Sequence, residues 1–242
     1  KVKFPESIPT TRDLVNCGFA KIMLGEDHTE AQQLILMAFD KQEMNPASPK
    51  YGELPWQISK PEIINSNALE FSCQAIGPLW IGYSSKLDKD FKDTMTPHIS
   101  ASIDALRKHS IPVTNTSLYL LNAVDILLVG RAIQNELAMK DGLALFDLWL
   151  DNARLIGIHE FDSPTYYGVT INCLNLGYRY APTDDIKDKF KHALDNLWTE
   201  IAANFLPKRE QLAGAHSRSY DFLRGSGNVD AYLYVEGFRR EQ

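Results

Sequence analysis

The sequence predicts an all-α protein built of antiparallel helical hairpins, and three observations carry that prediction. Apolar residues recur at helical spacing from Thr29 to Phe39 and through most of the chain after residue 66. From residue 66 onward, helical segments follow one another with no strand signal between them. Helix-start signals punctuate these segments, among them Ser163-Pro164 and Thr183-Asp184-Asp185 after Pro182.

The elements follow in order. The first 28 residues are mixed, with Pro5, Pro9 and a short apolar segment from Phe19 to Leu24. A helix is expected at 29–42, with Thr29 as its cap and Glu30 in the first turn, where acidic charge is favoured. Residues 43–62 carry Pro46, Pro49, Pro55 and Pro61, too punctuated for a long element, and read as an ordered surface loop. Helices are then expected at 66–83, 88–109, 117–139, 141–156, 165–181 and 183–205. In 117–139, Leu118, Leu120, Leu121, Val124, Ile126, Leu127, Leu128 and Ile133 cover most of the cylinder, the pattern of a helix buried on more than one side. In 183–205, Ile186, Phe190, Ala193, Leu194, Leu197, Trp198 and Ile201 form one stripe, opposite Asp184, Lys187, Asp188 and Lys191.

Connection lengths alternate. The chain turns almost at once between 139 and 141 and between 181 and 183, whereas longer loops fall at 110–116, 157–164 and 206–225. Antiparallel helices joined in this way put every second loop at the same end, so the three long loops should share one face. Function gathers where loops are long. Seven helices make roughly three and a half hairpins, fewer than a closed double ring requires. The expected architecture is therefore part of an (α/α) toroid, spanning 1–242 as a single domain or as the N-terminal part of a longer protein. A solenoid would show a repeating signature, and none is evident.

Composition sets the outer limits. Of 242 residues, 44% are hydrophobic and 23% charged, which excludes a disordered chain. The net charge of −6 argues against a general nucleic-acid binder, which needs a basic face. There is no run of about 18 apolar residues, so no membrane span is expected. Cys17, Cys73 and Cys173 are far apart and flanked by apolar residues, which reads as core thiols, with one disulfide plus an odd thiol as the alternative. No zinc-type Cys/His cluster is present. Asn115-Thr116-Ser117 is a glycosylation acceptor pattern in a loop, and the chain opens on Lys1, which leaves room for a signal peptide ahead of it. A secreted glycoprotein is the expectation and a cytoplasmic protein the alternative.

Two stretches on the long-loop face hold the candidate chemistry. The first, GIHEFDSPTYYGV from Gly157, ends one helix at a glycine, runs through His159, Glu160 and Asp162, and opens the next helix at Ser163-Pro164. Tyr166 and Tyr167 then occupy the first turn, with Asn172 and Asn175 deeper in that helix. The second, AGAHSRSYDF from Ala213, gathers His216, Arg218, Tyr220 and Asp221 within six residues. The remaining histidines, His28, His98, His109 and His192, lie in no polar cluster visible in the sequence.

This combination resembles α/α-toroid proteins of the heparinase and alginate-lyase type over about residues 117–222. The resemblance implies a lyase cleaving a uronic-acid-containing glycan by β-elimination, with an acidic polysaccharide or oligosaccharide as partner and with no cofactor or metal required. Such elimination removes a weakly acidic proton beside a carboxylate, whose developing charge must be met by preorganised donors. Asn172, His216 and Arg218 suit that role. A Tyr or His must take the proton and another must protonate the leaving oxygen; Tyr166, Tyr167, His159 and Tyr220 are the candidates. The catalytic set expected is Tyr166, His216, Arg218, Tyr220 and Asn172, with His159, Glu160, Tyr167 and Asp221 binding substrate. Two readings compete. Glu160, Asp162 and Asp221 could supply the carboxylate pair of a glycoside hydrolase, or the polar loops could form the face of a non-catalytic glycan-binding or assembly module. Each residue also has a structural reading: the tyrosines as packing between helices, Arg218 and Asp221 as ties within their own loop.

Overall fold

A computed structural model describes residues 9–60, 62–218 and 227–240. The fold is all-α: nine α-helices lie among the described residues, beside one two-stranded hairpin of two residues per strand. Contacts divide the chain into two compact units, Lys1–Ser110 with Asp125–Gly142, and Ile111–Val124 with Leu143–Gln242.

In the first unit, α1 (Thr11–Leu24) lies where a mixed segment was expected. Its start is a capping box: the Thr10 hydroxyl accepts from the Asp13 N–H, and the Asp13 carboxylate accepts from the Thr10 N–H, each at 3.1 Å. It ends at Gly25, in the left-handed region. The cap of α2 (His28–Phe39) is Asp27 rather than Thr29, its carboxylate accepting from the N–H groups of Thr29 and Glu30. The two helices cross closely at Gly18, where a Cβ would come within 2.6 Å of the Ala31 carbonyl oxygen.

The proline-rich loop is ordered by backbone pairing of Glu43 with Gly52 and Glu53. Gly52 is required there, since its φ is +87° and a Cβ would lie 2.1 Å from the Ala101 carbonyl oxygen. Next come α3 (Ala68–Tyr83), a 3-10 turn (Ser84–Lys86) and α4 (Lys89–Leu106). After them α5 (Thr116–Ala132) and α6 (Glu136–Ile156) each contribute to both units. The break between these last two helices falls at 133–135 rather than at 140. Gln134 turns into the left-handed region, and the Asn135 side chain caps α6 by accepting from the Ala138 N–H at 3.0 Å.

A buried polar cluster in this unit contains His109, for which no polar cluster was expected. Its Nδ1 contacts Glu70 and its Nε2 contacts Glu53, both at 2.6 Å, and all three side chains are nearly buried. Burial alone would push the imidazole pKa down. The two carboxylates more than reverse this and raise it to about 10. Close by, Gln74 donates to the buried Asp125 at 2.6 Å, and burial pushes the Asp125 carboxyl well above its usual range. The three cysteines are free thiols, Cys73 and Cys173 buried and Cys17 half-buried.

The second unit packs the later part of α6 with α7 (Pro164–Arg179) and α8 (Asp184–Ala203). The start signals at Ser163-Pro164 and Thr183 both cap as expected, each side chain accepting from the N–H three residues on. Phe146 and Phe190 stack at 4.0 Å between centroids, and Gly177 leaves room for the Phe190 ring. Where a plain loop was expected after 205, the chain forms the hairpin β1 (Phe205–Leu206) and β2 (Gln211–Leu212). The short helix α9 (Val229–Val235) follows and packs on α7, where a Cβ on Gly168 would fall 2.4 Å from the Asn228 backbone.

Candidate functional site

The site grows from three loops of the second unit. The start of α5 with Asn115 before it, the loop 157–163 between α6 and α7, and the loop 213–218 after β2 are joined by hydrogen bonds. The Ser117 N–H donates to Glu160 at 2.8 Å and the His159 N–H to the Thr116 hydroxyl at 3.2 Å. Ser217 is tied to the middle loop through its N–H on the Phe161 carbonyl and its hydroxyl on the His159 carbonyl, each at 3.2 Å. Two residues in these loops, Asp162 and Arg218, hold left-handed backbone angles near +50°. Few non-glycine residues do so unless their surroundings fix them.

Arg218 is the first centre of the site. Its Nη1 donates to Glu160 Oε1 at 2.6 Å and to Asn115 Oδ1 at 3.3 Å, and its Nη2 donates to the Tyr166 hydroxyl at 2.9 Å. The guanidinium lies over the Tyr166 ring, 4.2 Å from its centroid. Glu160 is buried and accepts from both Arg218 and the first turn of α5, which satisfies a carboxylate that would otherwise be costly to bury. Arg218 itself is 46% exposed.

His216 is the second centre. Its Nδ1 lies 2.8 Å from the Asp162 carbonyl and 3.1 Å from Asp162 Oδ2. A carbonyl can only accept, so Nδ1 carries the hydrogen and Nε2 is left as the basic nitrogen. Asp162 is buried, and its Oδ1 has no hydrogen-bond partner among the described residues. Burial pushes its carboxyl up to about 6; His216 draws it down and the Glu200 charge adds to the rise.

The residues expected at the site divide accordingly. Glu160, Tyr166 and Arg218 are in direct contact, and His216, on the same loop as Arg218, is bonded to Asp162 instead. Tyr167 is fully buried, contrary to a place at the open face: its hydroxyl donates to Glu200 and accepts from the Asp162 N–H. Burial, then the Glu200 carboxylate, hold its phenol far above the usual range. It supports the site from beneath. Asn172 is also outside the cluster, accepting from the Tyr232 hydroxyl of α9 at 3.2 Å. His159 is exposed and enters the loop junction through its backbone. Tyr220 and Asp221 lie outside the described residues.

Sequence reasoning missed Glu200; it expected the 110–116 loop on this face, but not the bonds that Asn115 and Thr116 make there. Glu200 sits seven residues after Ala193 and three after Leu197, so a carboxylate on the apolar stripe of α8 was a readable signal of a buried partner. Among the described residues, no group of three or more His, Cys, Asp or Glu side chains is placed to hold a metal ion. A family model described as a domain of unknown function, DUF8769, matches residues 18–226. No curated protein matches the chain, and no solved structure does.

Proposed function

The chain belongs to the DUF8769 family, and we propose that it is a polysaccharide-lyase-like enzyme that cleaves a uronic-acid-containing glycan by β-elimination. We read its helices as part of an (α/α) toroid, with the three joined loops at the substrate end. One observation carries the reading: Arg218 lies over Tyr166 while His216, two residues earlier on the same loop, holds its Nδ1 on Asp162.

That arrangement supplies the three roles elimination needs. His216 Nε2 takes the proton from the carbon next to the uronate carboxylate. Its electron pair forms the ring double bond, the adjoining carbon–oxygen glycosidic bond breaks, and the leaving oxygen takes the Tyr166 hydroxyl proton. Arg218 donates to the substrate carboxylate as its negative charge grows. Asp162 holds the imidazole tautomer, and Glu160 positions Arg218; neither touches substrate.

The test is ultraviolet absorbance of the unsaturated uronate on a panel of acidic polysaccharides. The protein should generate that chromophore. Tyr166→Phe should lower its rate about 10²–10⁴-fold, the usual contribution of a positioned acid or base, with folding intact. Near-normal elimination by that variant would remove Tyr166 from the mechanism. New reducing ends without the chromophore would favour a glycoside hydrolase, which one observation supports: a buried Asp162 carboxyl ionising near 6 is the kind that can serve as a general acid.

A further inference from the structure

Beside this site lies a recess that neither centre uses. Helices α6 and α8 are in close contact at Phe146 and Phe190, and Lys189 reaches Asp147 at 2.7 Å. Beyond that contact a recess of about 240 Å³ opens between them and runs to Gly157 at the end of α6. A recess of this size has room for one six-membered ring with a substituent.

The lining has a definite polarity. Trp149, Leu150 and Leu197 form its apolar wall, and Arg154, Lys189 and His192 are the basic residues around it. Glu200 is the one carboxylate among the described lining residues, and it already accepts the Tyr167 hydroxyl. Arg154 has Asp151 no nearer than 3.9 Å, both side chains well exposed, a contact worth little in water. An apolar wall with a few convergent polar groups is the ordinary make-up of a small-molecule site.

We propose that this recess binds a small carboxylate carried on a ring-sized apolar body. The ring covers Leu150 and Leu197, and the carboxylate lies between Arg154 and His192. The proposal stands apart from the elimination reading, because it rests on the walls of the recess and its test measures binding alone. Its occupant would nonetheless meet Glu200, whose partner Tyr167 accepts from the Asp162 N–H.

Benzoate and its neutral isostere benzamide are the probes, titrated against the whole chain by calorimetry at low salt. Benzoate should saturate one site and bind more tightly than benzamide by about two- to fivefold, the scale of one exposed ion pair. Arg154→Gln, a change at an exposed side chain, should erase that preference and leave benzamide unaffected. Ala153→Phe, which fills the recess, should abolish binding of both. Equal binding of benzoate and benzamide would overturn the proposal. So would the absence of saturable benzoate binding, or an Arg154→Gln protein that still prefers benzoate. Should Ala153→Phe not fold, the Arg154→Gln comparison decides alone.

Discussion

Replacing His109 by Gln tests the clearest electrostatic feature of the first unit. The imidazole contacts Glu53 and Glu70 at 2.6 Å each, and its side chain is 8% exposed. Against an ordinary value of 6.5, ionisation near 10 corresponds to on the order of 4–5 kcal/mol at about 1.4 kcal/mol per tenfold. Discounting for water at the edge of the cluster leaves about 3 kcal/mol, near the cost of unpairing a buried charge. The sign follows from the raised folded pKa. The stabilisation is fully present below 6.5 and is lost as pH rises through about 10. Urea unfolding followed by circular dichroism should therefore show wild type exceeding His109→Gln by about 3 kcal/mol near neutral pH, with the gap closing towards pH 10 and above. A gap of the same size at both ends of that range would refute the assignment of a charged imidazole between the two glutamates.

Three further outcomes can be checked together. Arg218→Ala should abolish elimination and also cost about 1–3 kcal/mol in unfolding free energy, because it leaves buried Glu160 without its cation; Arg218→Lys should recover the stability more than the turnover, since an ammonium cannot bond both partners in the guanidinium plane. Tyr167→Phe should cost about 1–3 kcal/mol by leaving the Asp162 N–H and Glu200 unpaired, measured by thermal or urea melts. Gly168→Ala should cost about 1–3 kcal/mol through overpacking against Asn228, and limited proteolysis should then cut at α9 first.

The helices that sequence located best are those whose ends carry their own chemistry, such as Ser163-Pro164 and Thr183. The segment before residue 28 was misread although Thr10 and Asp13 stand at capping-box spacing, because its apolar stripe is short and its flanks hold two prolines. The break at 133–135 was misplaced because the apolar pattern runs on past Ile133, while the decisive group is the single cap Asn135. At the site, Glu160, Tyr166, His216 and Arg218 were legible as residue types crowded into two loops. Their pairing was not, nor was the retreat of Tyr167 into the interior: adjacent tyrosines in a first turn look alike until α8 brings Glu200 beneath one of them. His109 was illegible for the same reason, with Glu53 lying 56 residues away along the chain.

The joining of the three loops bears on how the protein folds. Arg218 reaches back 58 residues to Glu160 and 103 to Asn115, and Ser117 is 43 residues from the Glu160 it bonds. None of these contacts is local, so each must wait for the closure of a long stretch of chain whose entropy cost comes before any contact rewards it. The helices, held by caps and short-range bonds, can form first. The Glu160–Arg218–Tyr166 assembly forms only when residues 213–218 arrive, at the end of that sequence of events. Until that loop closes, Glu160 lacks its cation. Gain of activity in a refolding experiment should accordingly lag behind gain of helix, and by that lag report the closure of these loops.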